Sequence, residues 1–193
     1  MGMTAARKLH RITPEEYLAS EIDSPVKREY WNGEVYAMVG GTNTHQLIAG
    51  NIYATFDRLL RDQPCRPISS DTKIRIKEGR SFRFYYPDGG IVCEENPRTD
   101  HFQDNPKVIV EVLSNSTRRA DQGEKRLAYQ SISALESYLL VEQNQPGVVH
   151  YRRAKTGFRR MVISDLEDAA TISALAITLP LAEIYRRVSF AAE

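Results

Sequence analysis

Cysteine is scarce: the chain has two, Cys65 and Cys93, among 193 residues. Two thiols with no C-x-x-C pair form neither a disulfide framework nor a zinc-ligand pattern, so reduced thiols in an intracellular setting are expected. Long apolar runs are missing too. None approaches the roughly 18 residues of a membrane span. The start, Met1-Gly2-Met3-Thr4-Ala5-Ala6-Arg7-Lys8, lacks the apolar stretch of a secretory signal. A cytoplasmic protein without a membrane partner is the expectation. Net charge is nearly absent: 26 Lys and Arg stand against 25 Asp and Glu, a formal +1. The chain as a whole is no polycation, and any binding to nucleic acid has to come from a local cluster of Lys and Arg. No internal repeat or low-complexity linker divides the sequence.

What remains is a composition that builds a core and stays hydrated, with 41% hydrophobic and 26% charged residues. The length fits one domain over residues 1–193, with residues 1–12 as a loose N-terminal arm. Thr13-Pro14-Glu15-Glu16 predicts a helix start, because threonine caps, proline fits the first turn and Glu16 completes a capping box. Asn32-Gly33, set between apolar and aromatic runs, predicts a hairpin. Leu47, Ile48, Ile52, Phe56, Leu59 and Leu60 recur at helical spacing over 44–60. Strand-like runs follow at 72–76, 82–93 and 108–113, the last nearly all apolar as in a strand covered on both faces. A charged helix is predicted over 118–131, then a strand at 138–141 and a hairpin of 148–152 with 158–163. The segment 180–188 reads as a short closing helix with proline first. This mixture predicts an α/β sandwich with a central mixed β-sheet flanked by helices, preceded by an extra N-terminal helix and hairpin.

Two acids stand where strands avoid charge. Asp88 follows Pro87 inside the run Phe84-Tyr85-Tyr86-Pro87-Asp88-Gly89-Gly90-Ile91-Val92, and Glu111 interrupts Val108-Ile109-Val110-Glu111-Val112-Leu113. A carboxylate in an apolar strand is costly unless it is paired or binds a metal. Two of them on adjacent strands repel, and a hard cation such as Mg²⁺, which takes one or two carboxylates and keeps several waters, resolves that conflict. Taken singly, each has an ordinary explanation: Pro-Asp is a common turn, and a strand Glu a common ion-pair residue.

Pro87-Asp88 followed by Glu111-Val112-Leu113 resembles the PD-(D/E)XK nuclease signature. Glu34 in Asn-Gly-Glu-Val-Tyr, His45, Ser70-Asp71, the run from Glu111 to Ser114, and Gly123-Glu124-Lys125 before Tyr129 sharpen it. Together they resemble the putative restriction endonuclease family of that superfamily, over about residues 30–151. The resemblance implies a restriction-endonuclease-like fold and metal-dependent hydrolysis of DNA phosphodiester bonds. Mg²⁺, with Mn²⁺ as a substitute, would be held by Asp88, Glu111 and the carbonyl of Val112. The signature lysine is displaced, since position 113 is leucine; Lys125 on the following helix is implied in its place. Gly89-Gly90, where strand-forming residues are usual, is a second departure. Glu34 reads equally as a third site carboxylate or as the end of the hairpin turn. His45, Asp71 and Ser114 read as supporting residues or as structural ones, with Ser114 favoured as a helix cap. Arg118 and Arg119 read by default as a solvated basic pair. A homodimer is expected, since cleaving both strands needs two sites and two-fold symmetry supplies them. A rival expectation is a nuclease-fold protein that binds nucleic acid or assembles with little catalysis.

Overall fold

A computed structural model describes residues 11–38 and 40–190. The expected loose arm therefore falls largely outside the described residues. Residues 11 and 12 are described, and Ile12 is tied down: its N–H donates to the Gly33 carbonyl at 3.1 Å and its carbonyl accepts from the Tyr30 hydroxyl at 3.1 Å.

Helix α1 (Pro14–Glu21) begins with the anticipated capping box, in which Thr13 and Glu16 satisfy each other's backbone N–H. Strands β1 (Arg28–Trp31) and β2 (Glu34–Ala37) pair through Asn32 and Gly33, both at positive φ, as a two-residue hairpin turn requires. Helix α2 (Asn43–Leu59) buries Ile48, Ile52 and Phe56 on one face. Strand β3 (Arg66–Ser69) was not anticipated, because Pro67 breaks its pattern; it lies at a sheet edge, where proline is tolerated. Strands β4 (Ile74–Glu78) and β5 (Ser81–Tyr85) form the next hairpin.

The run read as one strand over 82–93 is two. Strand β5 belongs to a four-stranded sheet ordered β2-β1-β5-β4. Strand β6 (Gly89–Val92) belongs to a different, six-stranded sheet. Pro87, with no N–H to give, ends the first ladder, and Tyr86-Pro87-Asp88 carries the chain across to the second sheet. Strand β7 (Pro106–Leu113) pairs antiparallel with β6 and parallel with β8 (Ser137–Glu142). Strands β9 (Val148–Arg153) and β10 (Phe158–Ile163) complete the order β10-β9-β8-β7-β6-β3. The central sheet is therefore mixed, as expected. Gly89-Gly90 weakens nothing: a Cβ at Gly90 would come within 2.3 Å of the Val108 carbonyl oxygen, so close strand approach demands glycine there.

The predicted helix over 118–131 is broken at Gly123 into α3 (Arg118–Gln122) and α4 (Glu124–Gln130). Gly123 adopts φ −110, ψ −98, and a Cβ there would meet the Arg119 carbonyl at 2.9 Å. Strands β11 (Ala169–Ile172) and β12 (Ile177–Pro180) form a small ribbon, and α5 (Leu181–Ile184) is shorter than the expected closing helix. One apolar core lies between the six-stranded sheet and α2, and includes Ile48, Phe56, Val110, Val112 and Leu139. A second lies under α4, and includes Ile109, Leu113, Tyr129 and Tyr138.

The expectation of two free thiols is corrected. Cys65 and Cys93 directly precede β3 and follow β6, and since Arg66 pairs with Val92 they fall opposite each other and form a disulfide. The bond closes a separation of 28 residues. Reducing it should cost about 2–4 kcal/mol by freeing the unfolded chain. Thermal melts with and without reductant test this: an unchanged Tm would show that the bridge does not constrain the protein.

Candidate active site

The sheet crossing at Pro87 delivers Asp88 beside the middle of β7. Gly89 pairs with Val110, so β6 ends there and the Val112 N–H faces no strand partner on that side. Asp88 supplies the missing acceptor: its Oδ2 takes the Val112 N–H at 2.7 Å. The same oxygen lies 3.1 Å from His45 Nε2, on the first turn of α2. Thr42 caps that helix by accepting the His45 N–H at 3.2 Å. The Asp88 carboxylate is the main cause of a raised His45 pKa; burial opposes it and the Val112 backbone adds to it.

Glu111 projects from β7 and is 3% exposed, and its Oε1 has no hydrogen-bond partner. Burial pushes its carboxyl well above the ordinary value, against the pull of Lys125, and the acids Asp121, Asp88 and Glu29 push the same way. Lys125 reaches back from α4. Its Nζ donates to Glu29 Oε1 at 2.7 Å and stands 3.7 Å from Asp121 Oδ1 and 3.8 Å from Glu111 Oε1. Burial alone would lower the Lys125 pKa, but the three carboxylates outweigh it and the ammonium is held charged. Asp121, 2% exposed on α3, has its own pKa raised by burial despite Lys125, and its Oδ1 also lacks a partner.

Asp88, Glu111, Lys125, His45 and Ser114 thus line one cavity of about 430 Å³, together with Lys27, Tyr86 and Asp121. Glu29 and Asp121 were not anticipated. Glu29 alternates along β1 with the buried Tyr30, so the two point to opposite faces, and Glu29 Oε1 also takes the Tyr86 N–H at 3.2 Å. Asp121 stands four residues before Lys125, a spacing that reads as a same-face acid–base pair even across the Gly123 break.

Two expected members lie elsewhere. Glu34, on β2, is 3.9 Å from Arg11 and accepts from the Tyr36 hydroxyl; it does not line the cavity, and Glu29 from the partner strand stands where a third carboxylate was sought. Asp71 is 81% exposed at its side chain and pairs with Lys27, which does line the cavity. Ser114 does not cap α3, whose N-cap is Thr117 without a side-chain cap bond; its Oγ instead accepts the Thr117 N–H at 3.1 Å in the turn before the helix. Val112 meets Asp88 through its N–H. Arg118 is no solvated residue: it grips Glu142 through two bonds, at 2.7 and 2.5 Å.

The donor set suits a hard cation in a specific way. Three carboxylates approach one ammonium, and two buried carboxylate oxygens have no hydrogen-bond partner, which is costly for groups that normally accept several bonds. Among the described residues, no three His, Cys, Asp or Glu side chains already converge as a preformed metal cage. Mg²⁺ does not need one, since one or two carboxylates with retained waters suffice.

Comparison with known proteins matches residues 14–182 to a family model described as "Uma2: Putative restriction endonuclease". An uncharacterized protein of Synechocystis, slr1290, is 30% identical over 181 residues, covering 93% of this chain and 94% of that protein. A second, sll1609, is 32% identical over 169 residues, covering 86% and 92%. Among solved structures, a putative nuclease belonging to DUF820 from Anabaena variabilis superposes with a TM-score of 0.71 at 15% identity, over 90% of this chain and 97% of that one. That likeness is one of fold.

Proposed function

We propose, from the premise that this chain belongs to the Uma2 family of putative restriction endonucleases, that it is a divalent-metal-dependent nuclease. It would hydrolyse DNA phosphodiester bonds in the cavity shared by Asp88, Glu111 and Lys125. One observation carries the reading: Glu111 Oε1 is buried and unpartnered beside an ammonium already shared among three carboxylates, which leaves negative charge for a second cation. Asp88 and Glu111, with the Val112 carbonyl, would hold Mg²⁺ or Mn²⁺. A cation there supplies polarisation of a phosphate oxygen and a lowered pKa for water.

The chain's own residues do the rest. His45 and the Val112 N–H fix the Asp88 carboxylate in one orientation. Glu29 ties the Lys125 ammonium to the backbone of the Tyr86-Pro87-Asp88 crossing, so acid and base move as a unit. Lys125 then orients a water and offsets charge developing on phosphate oxygens. Lys27, at the cavity wall, attracts the anionic substrate. Plasmid nicking with Mg²⁺ or Mn²⁺ against a chelator tests the function. No nicking under any divalent cation would remove it. The rival reading, a binding protein of this fold with little catalysis, draws on the lack of a preformed three-ligand cage among the described residues.

A homodimer is proposed with it. Trp31 and Tyr36, 37% and 48% exposed, offer aromatic surface on the β1–β2 hairpin, whereas Tyr30, also expected there, is buried at 3%. Light scattering at micromolar concentration should give twice the 22.0 kDa chain mass, and Trp31→Ala should shift it toward one. A wild-type monomer overturns the dimer.

A further inference from the structure

Helix α3 buries one residue, and that residue is an acid. Arg118, Arg119, Ala120 and Gln122 are exposed or half-buried, whereas the Asp121 side chain is 2% exposed. Its burial gains almost nothing from the hydrophobic effect, and aspartate is almost never fully buried unless paired. The fold holds Asp121 firmly, but by its backbone. Its N–H donates to the Thr117 carbonyl at 3.0 Å, and its carbonyl accepts from the Tyr138 hydroxyl of β8 at 2.9 Å. The carboxylate is left over. Among the described residues Oδ1 has no hydrogen-bond partner, and the Lys125 ammonium, at 3.7 Å, is too far to give one. Glu29, the other acid that the sequence did not announce, is spent by comparison: its Oε1 takes the Tyr86 N–H at 3.2 Å and the ammonium at 2.7 Å.

Asp121 shares its situation with one other group. Glu111 Oε1 is also buried and unpartnered, stands 3.8 Å from the same ammonium, and lines the same cavity. Two free carboxylate oxygens, one from β7 and one from α3, thus lie within 3.8 Å of one point, and the ammonium there bonds to neither. The two acids also feel each other: Asp121 pushes the Glu111 carboxyl up more than Asp88 does. We propose that Asp121 is the third carboxylate of the divalent-cation site, its free Oδ1 acting on the cation together with Glu111 Oε1 and Asp88. The inference rests on the metal-dependent reading above and adds to it an acid from outside the two strands. Charge supports it. Glu29, Glu111 and Asp121, when ionised, set three negative charges against one ammonium, and a divalent cation supplies the two positive charges that are missing. Hard cations take carboxylate oxygens and bind more tightly as the ligand charge rises. No three acids converge among the described residues, so Asp121 completes the site only as the ammonium gives ground to the cation.

The test is calorimetric titration of the full chain with Mn²⁺, for wild type and Asp121→Asn, and again for both in a Lys125→Met background. Asparagine keeps the shape and removes the charge. Asp121→Asn should bind Mn²⁺ at least about tenfold more weakly, the smallest loss usual when even an outer support of a metal site is removed. The same factor should appear in the Lys125→Met background, because Asp121 acts on the cation and not through the lysine. A loss that vanishes without Lys125 would make Asp121 a partner of the lysine alone and overturn the proposal. Equal Mn²⁺ affinity with and without the Asp121 charge in both backgrounds would overturn it as well. Melting in EDTA guards against a folding artefact. The double variant should melt higher than Lys125→Met, since one of three uncompensated acids is gone, and that pair carries the comparison even where Asp121→Asn alone folds poorly. A wild type that binds no Mn²⁺ removes the metal-dependent reading and this inference together. A wild type that binds it, with an Asp121→Asn that binds it equally well, removes this inference alone. If Asp121→Asn loses Mn²⁺ in both backgrounds while wild type nicks no plasmid, the nuclease reading fails and the cation site stands.

Discussion

Lys125→Met should destabilise the metal-free protein by about 3 kcal/mol at pH 8, and by far less at pH 5. Methionine keeps most of the stem and removes the ammonium, which leaves Glu29, Glu111 and Asp121 facing one another with no cation. Removing one partner of a buried ion cluster typically costs about 3–5 kcal/mol. The lower end applies here because the carboxylates have an escape: they take up protons. Burial already raises Glu111 and Asp121, and loss of the ammonium that pulls them down raises them further. The sign follows from linkage. A carboxyl whose folded pKa lies above its unfolded one binds more protons when folded, so stability falls as pH rises from the ordinary carboxylate range toward the raised value. The penalty is therefore small at pH 5 and full at pH 8.

A divalent cation should return much of the loss, because it replaces the missing positive charge, and calorimetry with Mn²⁺ should show binding retained or tightened. Turnover should still vanish, since the group that orients water and offsets phosphate charge is gone. Urea unfolding at both pH values, with EDTA and with Mn²⁺, reads all of this. A variant as stable as wild type at pH 8 in EDTA would mean that the ammonium is not where the carboxylates need it.

The parts of this site that were legible in the sequence are those carried by local patterns. Asp88 and Glu111 stood out because charge interrupts apolar strand-like runs. Lys125 followed from the resemblance, once position 113 proved to be leucine. The missed parts depend on which strand joins which sheet. In the 82–93 run only Pro87 and the Asp88-Gly89-Gly90 that follows hint that Tyr86-Pro87-Asp88 changes sheets. Glu29 and Glu34 sit on paired strands of one hairpin, Glu34 opposite Trp31 and Glu29 opposite Tyr36. Each is an acid followed directly by an aromatic or apolar residue, Tyr30 or Val35. What distinguishes them is the burial of Tyr30 against Tyr17 and Phe84, a long-range contact that turns Glu29 to the other face, toward Lys125. The Gly123 break was hidden for a similar reason, because the charged residues on both sides keep good helix propensity and the bend is imposed by packing. Gly90 reads as a weak strand residue until the Val108 carbonyl is seen beside it.

Asp88→Asn should abolish metal-dependent cleavage, a larger loss than the roughly 10–100-fold that follows when the outer partners of a metal site are removed, while the protein stays folded. The asparagine carbonyl can still accept the Val112 N–H, so the contact at 2.7 Å that anchors the sheet crossing survives. The charge does not survive, and three consequences follow. Affinity for Mg²⁺ or Mn²⁺ falls, because the site is left with one strand carboxylate. Glu111 loses one of the anions that raise it, so the metal-free protein should be as stable as wild type or slightly more so. His45 loses the main cause of its raised pKa, and its titration by NMR should move down toward the unperturbed value. These three effects separate a metal-site role from a structural one. If Asp88 only held Val112 and His45 in place, stability would fall and metal affinity would not change. If the site works as proposed, stability holds, the His45 midpoint drops, and cleavage and metal affinity are lost together, in contrast to Lys125→Met, where cleavage is lost and metal affinity is kept.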